Sequence, residues 1–138
     1  MNTAEDLLAV SAEIWDAYFR HPFVRGIQDG TLDKARFRFY LIQDALYLEE
    51  YAKVFALGAA KAESLSTALL FSEYLAAINR ERAVHGGYFE QLSVSEGELK
   101  AAVRSLDNLS YTSYMLRVGY EGGEAEILAA ILSCAYSY

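Results

Sequence analysis

Residues 37–55 read FRFYLIQDALYLEEYAKVF, and this stretch decides the fold. Phe37, Tyr40, Leu41, Asp44, Tyr47, Leu48, Tyr51 and Phe55 recur at helical steps, which sets them along one face of a helix. The face is aromatic, and a carboxylate stands in the middle of it. Asp44 lies one turn from both Tyr40 and Tyr47, so the three share a surface. A carboxylate on an aromatic face is costly unless it is hydrogen-bonded or paired. Two readings stay open. Either a tyrosine hydroxyl from a neighbouring helix satisfies Asp44, or Asp44 accepts hydrogen bonds from a ligand with an amidine-like edge. An aminopyrimidine has such an edge, an amino group beside a ring nitrogen that can be protonated.

The helical period extends in both directions. Thr3 is expected as an N-cap, followed by Leu7, Val10, Ile14, Ala17 and Tyr18 on one helix. His21-Pro22 breaks it, because proline disfavours helical geometry in the residue before it. A short helix over 22–28 ends at Asp29-Gly30, and the long aromatic helix runs from Thr31 to Ala62. The next spans Ser64 to Leu92, with Gly86-Gly87 marking a kink or a close helix crossing. A turn with Ser93, Ser95 and Gly97 leads to a short helix over 97–106. Asn108 or Ser110 starts a helix carrying Tyr111, Tyr114, Met115 and Val118, closed by Glu121-Gly122-Gly123. The last helix starts at Glu124 and carries Ile127, Leu128, Ile131, Leu132 and Ala135.

Period-two alternation and hairpin dipeptides are missing. The pattern predicts a single all-α domain over residues 1–138, a helical bundle with short connections. The last helix has no stop signal, and Ile131, Leu132 and Tyr136 call for a partner surface. Further helices are therefore expected after Tyr138, so the bundle is read as C-terminally truncated.

The chain carries a formal charge of −7 and a pI of about 4.8. That excludes nucleic acid and anionic membrane as expected partners, since both need clustered Lys and Arg. One cysteine cannot close an intrachain disulfide. The first residues include Glu5 and Asp6 and lack the plan of a signal peptide, and no apolar run reaches the roughly 18 residues of a membrane span. A soluble cytoplasmic protein is expected. The aromatic excess, 11 Tyr with 7 Phe and 1 Trp, suits a pocket or subunit interface, where one side is apolar and the other forms hydrogen bonds. A tyrosine-rich core is the plainer alternative.

Cys134 is flanked by Leu132, Ser133, Ala135 and Tyr136. Such a cysteine is ordinarily a small inert hydrophobe. A nucleophile needs help in reaching the thiolate, and no basic neighbour is visible locally. The histidines are His21 and His85. Glu81 and His85 share a face, but no second Glu/His pair completes a di-iron site, so no metal is expected. Both histidines are read as a solvated ion pair or a cap. Gly86-Gly87 and Gly122-Gly123 lack the flanking pattern of phosphate loops.

Several stretches, in order, resemble the TenA family, the thiaminase II group: HPFVRGIQDGTL at 21–32, FYLIQDALYL at 39–48, FALGAAKA at 55–62, YTSYM at 111–115 and EILAAILSCAYSY at 126–138. The resemblance implies a haem-oxygenase-like helical bundle that binds no haem and needs no cofactor. It implies hydrolysis of an aminopyrimidine or of thiamin, releasing hydroxymethylpyrimidine for thiamin salvage, in a homo-oligomer, commonly a tetramer. It carries Cys134 over as the nucleophile and Asp44 as the acid on the amino edge. Tyr47 becomes a pocket tyrosine, Tyr111 the ring-stacking aromatic, and Tyr138 a hydrogen-bonding tyrosine near the cysteine. Two departures stand out. The family's C-terminal helices, with a further tyrosine and an acid/base glutamate, have no counterpart here, and Ser133 stands where proline is common. Two other readings compete: a non-catalytic pyrimidine-binding or regulatory bundle, and an oligomer-forming helical protein whose aromatics serve interfaces only.

Overall fold

The computed structural model describes residues 3–137. Among them are eight α-helices and no strand. Two compact units divide between Phe37 and Arg38, within the long helix Lys34–Lys61. The first holds α1 (Thr3–Val10), α2 (Ala12–Phe19) and α3 (Pro22–Gln28). Ser11 interrupts what the sequence pattern read as one helix. Its hydroxyl bonds back to the Leu7 carbonyl at 2.6 Å and receives Trp15 Nε1 at 3.1 Å, the local competition that bends helices at serine. Thr3 already lies within α1. His21 caps α3, its Nδ1 accepting from Phe23 N at 3.2 Å, with Pro22 in the first helical position. Gly30, at φ 69°, takes the left-handed turn that ends this segment.

The second unit contains the rest of α4 (Lys34–Lys61), then α5 (Leu65–Gln91), α6 (Glu96–Ala101), α7 (Leu106–Glu121) and α8 (Glu124–Ser137). α4 starts later than Thr31, because Asp33 caps it by accepting from Ala35 N and Arg36 N at 3.0 and 3.1 Å. Ser64 and Ser95 cap α5 and α6. α6 stops at Ala101, and the extended residue Ala102 turns the chain toward α7. Ser105, rather than Asn108 or Ser110, caps α7, accepting from Asn108 N at 3.3 Å. Gly86 and Gly87 sit in uninterrupted helix with nothing near the place a Cβ would occupy, so they mark no close crossing.

The core joins α4, α5, α7 and α8 through Leu48, Val54, Phe55, Phe71, Ile78, Met115, Ile127 and Ile131. Close approach of α4 and α5 occurs at Gly58. A Cβ there would stand 2.6 Å from Cδ1 and 2.7 Å from Cζ of Phe71, itself 2% exposed. Polar bonds set the helix register. Gln43 on α4 accepts Ser105 N at 2.8 Å through Oε1, and its carbonyl takes Asn108 Nδ2 at 2.7 Å. At the far end Lys61 Nζ donates to the carbonyls of Tyr120 and Gly122, each at 2.7 Å, satisfying carbonyls at the end of α7. Arg104 Nη2 meets Glu50 Oε1 at 2.7 Å between these two ties.

Gly58→Ala is expected to destabilise the fold by about 1–3 kcal/mol, because a buried aromatic ring must move to admit the methyl group. Urea unfolding followed by circular dichroism measures this. An unchanged midpoint would show that α4 and α5 do not depend on the close approach.

Candidate active site

Four of the five residues picked out by sequence lie in the second unit, on α4, α7 and α8. Tyr138 lies outside the described residues. α4 presents Asp44, Tyr47 and Tyr51 one turn apart, at the end of the helix tied to α7 through Gln43. That tie places Tyr111, one turn beyond Asn108, opposite Tyr47. Their rings are nearly parallel, at 6°, with centroids 5.9 Å apart. Tyr47 and Tyr51 also stack at 5.0 Å. The Tyr111 hydroxyl pairs with Ser133 Oγ at 2.8 Å, next to Cys134 on α8. Ser133, at the position of the expected proline, thus serves as an anchor for the stacking tyrosine.

Cys134 is half-buried and packs against the core cluster. The Tyr47 and Tyr51 hydroxyls favour its thiolate electrostatically, and the Tyr47 hydroxyl also donates to Met115 Sδ at 4.0 Å. Burial pushes the thiol above its ordinary range, the two tyrosine hydroxyls oppose that rise, and the Asp44 and Glu81 carboxylates add to it. The sulfur and the acid therefore act on one another electrostatically across the same region. Burial, followed by the interaction with Cys134, raises the Tyr47 phenol far above its ordinary range. Tyr51 rises for similar reasons, burial first. Tyr111 is raised by burial and partly relieved by Ser133.

Asp44 finds its partner on a neighbouring helix, but a histidine supplies it rather than a tyrosine. His85 Nε2 on α5 stands 3.0 Å from Asp44 Oδ2, with side chains 7% and 10% exposed respectively. The expectation that His85 belongs to a solvated pair or cap is corrected by this burial. Glu81, one turn earlier on α5, completes a cluster whose ligand atoms all lie within 4.8 Å of one another. Burial and the Asp44 charge raise the Glu81 carboxyl, while His85 opposes the rise. One imidazole and two carboxylates form a donor set that suits a divalent cation. The Glu81/His85 spacing was visible in the sequence. The third member comes from α4, so no local pattern reveals the cluster. Tyr51 was visible only as one more aromatic in the stripe.

Two surface hollows lie apart from these residues. One, at the α7–α8 turn, is lined by Val118, Glu121, Gly122, Gly123 and Glu126. The other involves Pro22, Gly26, Thr31, Leu32, Asp33 and Arg36. No described helix is long and apolar enough to cross a membrane.

Fold and site together define an all-α protein in which a cysteine, a carboxylate–histidine pair and stacked tyrosines share one region of a bundle. The chain belongs to the TENA/THI-4/PQQC family, whose profile matches residues 9–138. An aminopyrimidine aminohydrolase of Helicobacter pylori is 45% identical over 139 aligned positions, covering 100% of this chain and 64% of that protein. The aminopyrimidine aminohydrolase of Halalkalibacterium halodurans is 43% identical, covering 100% of this chain and 62% of its own length. A crystal structure of a TenA family transcription regulator from Silicibacter sp. TM1040 superposes with a TM-score of 0.88 at 34% identity, over 95% of this chain and 59% of that one. The chain thus spans about three fifths of the length of these relatives.

Alkylation of Cys134 by iodoacetamide at about pH 8 is expected to be slower than that of a free cysteine. The sign follows from the raised thiol: at a given pH less of it is thiolate, and its rate climbs only as pH rises beyond the free thiol's range. Asp44→Asn combined with Glu81→Gln removes two charges that oppose the thiolate, so this variant should react faster. Mass spectrometry of quenched samples follows both. A double variant no faster than the wild type would contradict the electrostatic coupling.

Proposed function

We propose that the chain is an aminopyrimidine aminohydrolase of the thiaminase II type, which releases hydroxymethylpyrimidine from an aminopyrimidine or from thiamin for salvage. The observation that carries the reading is that Cys134, Tyr47 and Tyr111 pack against one core cluster, with the Tyr111 hydroxyl bonded to Ser133 beside the cysteine. The aminohydrolase relatives, identical at 45% and 43% across the chain, support the substrate class.

Asp44 holds the amino group and the protonated ring nitrogen of the pyrimidine, and Tyr111 stacks on the ring. Protonation makes the ring electrophilic. The Cys134 sulfur then forms a bond to a ring carbon, and its proton passes to the departing amine, or to solvent when the thiazole leaves. The ring's electrons expel the amine, or the thiazole of thiamin, from the side-chain methylene. Water adds to the exposed methylene, the carbon–sulfur bond breaks, and hydroxymethylpyrimidine leaves. Covalent catalysis divides one hard displacement into easier steps. Tyr47 and Tyr51 orient the sulfur, and Tyr138 is assigned beside it by resemblance. The reading uses no metal or cofactor, and places the protein in the cytoplasm without nucleic-acid partners.

Cys134→Ser is expected to abolish hydroxymethylpyrimidine release while leaving pyrimidine binding within a few-fold of wild type. Asp44→Asn should weaken binding about tenfold or more, because the charged acceptor is lost. Chromatography of the product and titration calorimetry separate the two. Turnover retained by Cys134→Ser would end the nucleophile assignment. Pyrimidine binding without turnover in the wild type would favour a regulatory bundle instead.

The chain is also proposed to form a homo-oligomer. Leu69, Leu70 and Tyr74 on α5 are 55%, 54% and 58% exposed, and Leu128, Leu132 and Tyr136 on α8 are 45%, 41% and 48% exposed. Apolar surface of this extent seeks a cover. Light scattering is expected to give a mass above that of one chain, and a clean monomer at micromolar concentration would refute the proposal.

A further inference from the structure

To read a pyrimidine edge, the Asp44 carboxylate must keep one orientation. On α5, His85 is 6% exposed, more deeply buried than its neighbours Val84 at 58% and Tyr88 at 40%. Nε2 stands 3.0 Å from Asp44 Oδ2, while Nδ1 is buried with no hydrogen-bond partner. An orphaned ring nitrogen costs free energy, and a site that tolerates that cost holds the ring for what the other nitrogen does. The Phe89 ring, edge-on to His85 with centroids 6.0 Å apart, fixes the plane of the imidazole.

We propose that His85 is the positioning residue for the Asp44 carboxylate, and that through this pairing it sets the preference for an amino-bearing pyrimidine over one with a carbonyl at the same place. The inference rests on the proposed function. Each carboxylate oxygen has two lone pairs, so Oδ2 takes the imidazole N–H and still accepts from the ligand. With His85 present the carboxylate is held in one orientation. It presents acceptors where an amino group and a protonated ring nitrogen donate. A carbonyl there would set acceptor against acceptor, and the preference follows from that mismatch. Glu81, one turn before His85, stays within 4.8 Å of both groups. His85 itself need not touch the substrate.

The test uses His85→Leu and His85→Gln in the otherwise unchanged chain, with calorimetric titration of hydroxymethylpyrimidine and of its analogue bearing a carbonyl in place of the amino group. Glutamine puts its amide nitrogen near the position of Nε2, and leucine offers no donor. Expected is a loss of about tenfold or more in affinity for the amino compound in His85→Leu, with little change for the carbonyl analogue, so that the preference collapses. His85→Gln should recover most of it. A merely structural histidine would lower the melting temperature in both variants and leave the preference intact. Should His85→Leu fail to fold, His85→Asn, whose amide falls near Nδ1 instead, is read against His85→Gln: preference kept only by glutamine supports the proposal, and equal behaviour overturns it. A wild-type chain that binds neither pyrimidine overturns the proposed function and this inference with it. A wild-type chain that discriminates while His85→Leu discriminates equally well overturns this inference alone.

Discussion

A carboxylate cannot be left alone on a half-buried aromatic face, and much of this bundle is arranged around that constraint. Asp44 interrupts a stripe that otherwise makes an apolar seam, and its desolvation must be offset by a partner from another helix. α5 supplies it in His85. The neighbouring residue, Gln43, faces the other way and binds the start of α7 through Ser105 N and Asn108 Nδ2. Two consecutive polar residues thereby tie one helix to two others, and the register they impose carries forward. One turn on, Tyr47 meets Tyr111 in parallel, and a turn further Tyr51 begins the dry part of the core.

The stripe changes character along its length. Toward the end of α4, Val54, Phe55 and Gly58 are fully apolar and close-packed, with Phe55 set against Phe71 and Tyr74. Toward its middle, the same face ends in hydroxyls and a carboxylate. Tyrosine suits this boundary because its ring extends the core while its hydroxyl remains available to the site. The packing that stabilises the bundle thus continues, ring by ring, into the residues that hold Cys134. Rigid support of this kind keeps functional groups in place better than a loop would.

Helix types and most of their limits were legible from period, from caps such as His21 and Ser64, and from breakers such as Pro22. The bend at Ser11 was not, because serine competes with a helix only when its hydroxyl folds back on the preceding turn, and that choice is made locally in three dimensions. Asp44 and Cys134 stood out because an acid and a thiol are unusual on apolar helical faces, whereas the roles expected of Tyr47 and Tyr111 came from the family resemblance. His85 and Glu81 were seen as a pair yet misread as solvated. Their one-turn spacing fits a surface salt bridge equally well, and their burial depends on a residue more than thirty positions earlier in the chain. The same holds for Ser133, a plain departure from expectation in sequence that becomes an anchor for Tyr111 in space.

The state of the thiol gives the site its logic on the proposed reading. Two carboxylates and burial keep Cys134 protonated at rest, which is a poor condition for a nucleophile. The same carboxylates attract a cation. A pyrimidine protonated on its ring brings positive charge to Asp44, and that charge offsets the carboxylate's opposition to the thiolate. The Tyr47 and Tyr51 hydroxyls, which already favour the thiolate, stabilise the anion as it forms. Activation is then coupled to occupancy: without the heterocycle the thiol stays neutral and protected from oxidation, and with it the local field reverses. A permanently ionised cysteine, set beside a helix start or a lysine, would need no such trigger, but it would also react with whatever electrophile reached it first.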